Sequence, residues 1–318
     1  GVFGPVYALS TGEVYIAARA SVTLSAQDDL SGAGQTFYKV DPDAAFLAGG
    51  LGPETTSQFT AYGGPFTMDE GSRTVAWGAS DAAGNYEPLK AAAFAVDGTP
   101  PITTALVLGA GFESAPGKIA LSPGSMVALE SVDPFANGVA AGTDAIAFLI
   151  GKTFEECGLP ADGFPDISAS APLGSCANPV YGGPFTIATG TRTFAFFGVD
   201  QVLNQEARRA LEVGVDLVPP DLSVVPSSNS AVNSTALSVS VGYPDPALAP
   251  EFPGSGTDAA SVRVLIDEQD VTGQAQITGA EASGSLSLSE GRHGLRVTAA
   301  DRAGNARTAR HPFFVDLT

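Results

Sequence analysis

The sequence predicts an all-β fold, with three tandem β-sandwich repeats laid end to end as an extended rod. Three observations carry that expectation. First, Tyr62–Pro101 recurs without a gap as Tyr181–Pro220, 119 residues later, with 18 of the 40 positions identical, far more than chance gives at a fixed register. A looser third copy from Gly284 to Thr318 again aligns Gly71 with Gly291, Asp81 with Asp301 and Asn85 with Asn305. Second, apolar residues inside the unit alternate: Val75, Trp77 and Ala79; Phe194, Phe196 and Gly198; Leu295, Val297 and Ala299. A period of two buries one face of a strand. Third, 38 Gly and 23 Pro beside only 15% charged residues suit short strands joined by turns. At about 100 residues per unit, each repeat is long enough to bury its own core. The domains are expected at 1–98, 99–217 and 218–318.

Taken in order, residues 1–20 supply one or two lead-in strands around Val6-Tyr7 and Val14-Tyr15-Ile16. The first repeated strand is Ser21–Asp28, with counterparts Met126–Asp133 and Leu237–Asp245, each closing on an Asp. A Gly-containing loop of variable length follows, then a strand at Phe37–Asp41, Ala145–Ile150 or Val262–Asp267. The alternating strand of the repeated unit stops at Asp-x-x-x-Asn: DAAGN at 81–85, DQVLN at 200–204 and DRAGN at 301–305. Asp and Asn side chains bond nearby backbone N–H groups and Gly accepts positive φ, which is hairpin chemistry. Leu203 replaces that Gly in the second copy, so its turn is expected to be built differently. A last strand ends in Val96-Asp97, Val215-Asp216 or Val315-Asp316, and in the first two copies a Pro-Pro pair stops it three residues on. No amphipathic helix is expected.

The order of these elements, with F-Y-K-V-D, Y-x-G-P-F-T, G-x-x-T-V-x-x-x-A-x-D-x-A-G-N and V-D-x-x-P-P as they stand in the first repeat, resembles the tandem bacterial immunoglobulin-like (Big-type) repeats of surface and secreted proteins. The resemblance covers the first repeat and most of the other two. It implies three tandem immunoglobulin-like β-sandwich domains on an extracellular or cell-surface protein of bacterial-type secretion. Such sandwiches serve as stalks, adhesins, enzyme appendages and envelope proteins alike.

The formal charge of −19, with only four lysines, disfavours phosphate backbones and anionic lipid as partners. No nucleic acid is expected, and no apolar run reaches the length of a membrane span, so this segment is not expected to insert in a membrane. A chain that opens on Gly1 and closes on Val315-Asp316-Leu317-Thr318 reads as a piece of a longer repeat array. The second repeat carries an insertion at about 151–180 holding the only cysteines, Cys157 and Cys176. The pair reads as a disulfide, with two buried thiols as the alternative.

Chemistry for catalysis is sparse. His293 and His311 have no metal-ligand spacing and read as strand-surface side chains, no serine lies in a Gly-x-Ser-x-Gly elbow, and no phosphate loop occurs. No enzyme is expected. A cation site is the better candidate. In an immunoglobulin-type sandwich the loop after the second strand and the last hairpin share one end, while the final strand finishes at the other. Asp28 and Asp29 are therefore expected near Asp81 and Asn85, Asp133 near Asp200 and Asn204, and Asp245 near Asp301 and Asn305. Asp97 points toward the second group and Asp216 toward the third. Convergent hard oxygens at a junction suit Ca²⁺. The same Asp and Asn residues also satisfy turn donors with no metal, so both readings stand. Trp77 reads as core, Tyr62 and Tyr181 as packing or turn residues, and Phe154, Leu159, Phe164 and Ile167 of the insertion either cover their own sheet or face a partner.

The functional expectation is a non-enzymatic extracellular structural or adhesion stalk. Two alternatives remain open: an accessory or glycan-binding region of a secreted enzyme, and a subunit of a polymeric filament or surface layer. The partner is then a protein, a glycan surface or a further copy of the chain.

Overall fold

In the computed structural model the described residues are 1–158, 171–187 and 189–318. Leu159, Phe164 and Ile167 lie outside them. The fold is all-β, and among the described residues every strand ladder stays within 2–97, 102–215 or 223–315. In the first stretch, Lys90–Asp97 lies between the parallel strand Val14–Ala17 and the antiparallel strand Gly71–Asp81, and Ala33–Val40 continues the sheet. In the second, Lys118–Leu121 runs parallel to Arg209–Val215, followed by Thr191–Asp200 and Thr143–Ile150, and a second sheet holds Phe185–Thr186, Met126–Val132 and Ile102–Leu108. The third stretch repeats the plan with five- and four-stranded sheets.

The cores lie between these sheets. In the third stretch Leu295, Val297 and Ala299 are fully buried with Leu237, Val239 and Val241 of the facing sheet, as a period of two requires. The second stretch departs from that period: Thr191–Asp200 is buried on both faces from Phe194 onward. Phe194 and Phe196 pack inward, while Ala195, Phe197 and Val199 form a second apolar group with Phe154 of the insertion. Phe154 stacks edge-on against Phe197 at 4.9 Å, so this part of the insertion covers its own sheet. Cys157 and Cys176 form a disulfide with their Cα atoms 5.2 Å apart. Trp77 is half-buried and packs on the first core, and Tyr181 receives the Leu129 N–H on its hydroxyl at 3.0 Å while packing edge-on against Phe148.

Three expectations need correction. The strand expected at Ser21–Asp28 is only Ser21–Val22, because its partner Val2–Phe3 offers two residues, whereas Met126–Val132 is paired along its whole length by Ile102–Leu108. A short helix, Ala44–Gly49, occupies the loop after Val40, started by Asp43, whose carboxylate accepts the Phe46 N–H at 2.7 Å. The third concerns the DQVLN turn. Leu203 adopts φ +62°, in the same left-handed region as Gly84 at +89° and Gly304 at +93°. The Asn204 N–H reaches Asp200 Oδ1 at 2.8 Å, matching Asn85 to Asp81 and Asn305 to Asp301. The turn is therefore the same one, with the leucine carrying the strain that glycine avoids.

Candidate cation sites at the repeat junctions

Each junction brings three carboxylates together, one from the repeat before and two from the repeat after. Asp97 ends the strand Lys90–Asp97, Asp200 ends Thr191–Asp200, and Asp133 follows Met126–Val132. One oxygen of each lies within 4.8 Å of the others, and Asp216, Asp245 and Asp301 form the equivalent group. Asp97, Asp200, Asp216 and Asp301 are buried.

The hydrogen bonds of Asp97 and Asp133 match those of Asp216 and Asp245 atom for atom. Asp97 Oδ1 accepts the Thr99 N–H at 3.0 Å and its Oδ2 accepts the Ala141 N–H, across the junction, at 2.7 Å. Asp216 does the same with Val218 at 3.1 Å and Ser255 at 2.6 Å. Asp133 Oδ2 accepts from Gly142 at 2.7 Å and Asp245 Oδ2 from Gly256 at 2.6 Å. The remaining oxygens, Asp133 Oδ1 and Asp245 Oδ1, are buried with no hydrogen-bond partner. An unpartnered buried carboxylate oxygen is costly, and a bound cation would remove that cost.

Burial pushes the Asp133 carboxyl up to about 6, with the charges of Asp97 and Asp200 adding to the rise. Asp245 is likewise raised to about 6 by burial, then by Asp216 and Asp301. Asp200 and Asp301 are also raised, chiefly by burial. Burial and neighbouring charge oppose the ionisation of Asp133 and Asp200 at one junction and of Asp245 and Asp301 at the other. A proton or a cation offsets that cost, and an all-carboxylate set suits hard-oxygen ions such as Ca²⁺.

The asparagines take a different part. Asn204 Nδ2 donates to Asp200 Oδ2 at 2.7 Å and to the Asp97 carbonyl at 3.1 Å, and Asn305 Nδ2 donates to Asp301 Oδ2 at 2.8 Å and the Asp216 carbonyl at 3.0 Å. They clip the hairpin and tie it to the preceding repeat. Asn85 makes only the local half of this pattern, to Asp81 Oδ2 at 2.7 Å. Asp28, Asp81 and Asn85 line one open cleft, and Asp29 beside them is exposed. Among the described residues no third carboxylate completes that group. Each complete triad draws its closing Asp from the strand end of the repeat before it, and none faces Asp28.

Several junction residues carry no motif. Arg19 donates to Asn204 Oδ1 and to the Leu203 carbonyl, both at 2.8 Å. Val202 and Ala141 of the second repeat are buried in the apolar cluster of the first, beside Ile16, Val75 and Val96. Asn137 Nδ2 donates to Glu70 Oε2 at 3.0 Å. A signal for the loop was present in the sequence: Asp133-Pro134 and Asp245-Pro246 both precede a Gly-Thr-Asp, at 142–144 and 256–258. His293 also departs from its expected surface position. Its side chain is 9% exposed and pairs with Asp267 Oδ2 at 2.8 Å, a bond that raises its pKa.

No protein-family model and no curated protein matches the chain. Among solved structures, the Clostridium thermocellum CbhA fibronectin(III)-like modules are 16% identical, covering 68% of this chain and 94% of that one with a TM-score of 0.30. The S-layer protein rSbsC(31-844) is 13% identical over 99% of this chain and 39% of that one, with a TM-score of 0.30. The human Desmocollin-1 ectodomain is 12% identical over 89% and 52%, with a TM-score of 0.27. Likenesses at this level carry no functional argument.

Proposed function

We propose that the chain is a non-enzymatic extracellular structural element, a stalk of three immunoglobulin-like domains at 1–98, 99–217 and 218–318 whose two junctions are fixed by Ca²⁺. The duplicated triad carries this reading: Asp97 with Asp133 and Asp200, and Asp216 with Asp245 and Asp301, each built from both sides of a junction. A cation held by both sides opposes bending there, which is what a spacer needs. The Cys157–Cys176 disulfide supports an oxidising, extracellular setting, and the bacterial immunoglobulin-like family remains the reading that the sequence motifs favour. A glycan-binding role for the insertion draws less support, since Phe154 is buried under its own sheet.

The test is isothermal calorimetry with CaCl₂ on metal-stripped protein, paired with melting in Ca²⁺ and in EDTA. Two bound ions per chain and a higher melting temperature in Ca²⁺ are expected, with one ion lost in Asp133→Asn and one in Asp245→Asn. Absence of binding heat together with identical melting in both buffers overturns the cation reading.

A further inference from the structure

The sheet that carries the Asp-x-x-x-Asn hairpin turns one face to the core and one outward in every repeat, and the outward faces differ. Counting back from Asp81, Asp200 and Asp301, its central strand presents Ala76 and Gly78, Ala195 and Phe197, or Arg296 and Thr298. In the first two repeats these positions are covered. Ala76 is fully buried, and Leu51 comes so close that a Cβ on Gly78 would sit 3.0 Å from its Cδ2. Ala195 and Phe197 are buried with Phe154 of the insertion. In the third repeat the segment after Thr257–Ile266 goes the other way, packing Val271 and Ala275 on the core, and Arg263, Thr308 and Arg310 of the outer face are exposed.

Cross-strand register sharpens the difference. Ala76 faces Ala91 and Ala195 faces Ala210, whereas Arg296 faces Arg310. In the next outward row Thr298 faces Thr308 on one side, their hydroxyls 2.9 Å apart, and Arg263 on the other. Three guanidiniums therefore share one face of a chain whose formal charge is −19. Like charges directly opposite each other in a sheet are destabilising, and their neighbours relieve this only in part. Glu268, in the turn after Ile266, pairs with Arg296 at 2.6 Å, yet Arg296 Nε is buried with no partner. Arg263 directs Nη1 to the carbonyls of Ala260 and Val262 at 2.9 and 2.7 Å. Among the described residues Arg310 has neither an ion pair nor a hydrogen bond.

We propose that this face binds a linear acidic polysaccharide through its carboxylates, with Arg296 and Arg310 as the central pair and Arg263 beside them. The planar fork of a guanidinium meets a carboxylate with two parallel hydrogen bonds, and an anion seated between Arg296 and Arg310 removes their repulsion. The two rows hold hydroxyls, the half-buried Leu265 and no aromatic side chain. They lack the apolar anchor on which a protein interface turns and the ring on which a neutral sugar stacks. An ionised glycan needs neither. Glu268 and Asp270, exposed at the edge of the sheet, set two carboxylates against the three arginines. So small a positive excess suits a polymer of well-spaced carboxylates, while the acidic remainder of the chain repels a densely charged one. No residue of either junction triad lies on this face, and the inference stands apart from the cation reading.

Interferometry of the intact chain over immobilised polygalacturonate tests this, run in EDTA so that no metal bridges protein and polymer, and at physiological ionic strength, where repulsion from distant charges is screened beyond about 8 Å. Binding is expected to polygalacturonate and not to its methyl-esterified form. Arg296→Ala and Arg310→Ala should each weaken it by about tenfold, the loss of one charge-assisted pair, and Arg310→Lys should recover only part of that loss. Melting without polymer separates binding from folding: Arg310→Ala should melt at or above the wild-type temperature, because it removes a repulsion. No binding, equal binding to the esterified polymer, binding untouched by either alanine, or binding lost only where melting falls as well overturns the proposal. So does a sedimentation coefficient that rises with protein concentration in the wild type and not in Arg310→Ala, whether or not polymer is present, a result that would assign the face to a second copy of the chain.

Discussion

Leu203 shows how much a single side chain can be asked to tolerate when its neighbours are fixed. Asp200 and Asn204 hold the hairpin closed through three hydrogen bonds, and Asn204 and the Leu203 carbonyl are held in turn by Arg19 of the preceding repeat. The backbone at 203 has no freedom left, so the leucine sits at φ +62°. A left-handed leucine costs about 1–2 kcal/mol, part of which glycine gives back as extra entropy in the unfolded chain. The side chain is 42% exposed and contributes little packing. Leu203→Gly should therefore raise unfolding stability by about 0.5–1 kcal/mol in chemical denaturation. A loss of stability would mean that Leu203 makes a contact worth more than the strain it carries.

At the level of elements, the repeat was legible because it rests on local chemistry. Asp81, Asp301 and their asparagines are spaced for a turn, and the alternation of Leu295, Val297 and Ala299 states which face is buried. Burial of both faces of Thr191–Asp200 was not legible, since Phe154 comes to it from an insertion whose path no periodicity describes. Nor were Arg19 and Val202, which act across a junction more than 180 positions apart in the chain. Topology alone directs Asp97 and Asp216 toward the hairpin of the following repeat, where the structure groups them with Asp200 and Asp301, yet nothing in the spacing says that Asp133 and Asp245 each keep one oxygen unpartnered. The insertion makes its own prediction. Its disulfide closes a loop over a sequence separation of 19, and chain entropy assigns such a loop about 3 kcal/mol. Reduction should destabilise the second repeat by about that amount, and the Arg208–Phe154 stacking at 4.9 Å that lies beside it should loosen with it. Melting with and without reductant reads the first effect. Unchanged melting would show that Phe154 and its neighbours hold the insertion without help.

For the whole molecule, the triads tie stability to pH and, on the proposed cation reading, to metal as well, and the sign follows from the direction of the shifts. Asp133 and Asp245 are raised from 3.8 to about 6 in the folded chain, and Asp200 and Asp301 move the same way. Over that window the folded state binds more protons than the unfolded one, so metal-free stability falls as pH rises from about 4 to 6. Exposed carboxylates such as Asp81, lowered chiefly by its Asn85 partner, act oppositely: their contribution is present above the ordinary carboxylate range and is lost as pH falls below it. His293 is raised above 6.5 by Asp267, so its contribution is complete below 6.5 and declines only as pH climbs through its higher folded value. General repulsion within a chain of charge −19 also grows with pH. Two comparisons separate the triads from these effects. In EDTA, Asp133→Asn and Asp245→Asn should flatten the decline between about pH 4 and 6 while leaving the His293 limb in place. In Ca²⁺ the wild-type decline should reverse, because the ion binds the ionised carboxylates that the apo protein holds at a cost, and its stabilisation grows through the same window. Melting temperatures collected across that range in the two buffers decide it: a wild-type curve in EDTA that climbs steadily toward neutrality would show that Asp133, Asp200, Asp245 and Asp301 ionise without penalty, and that the junctions have no need of a cation.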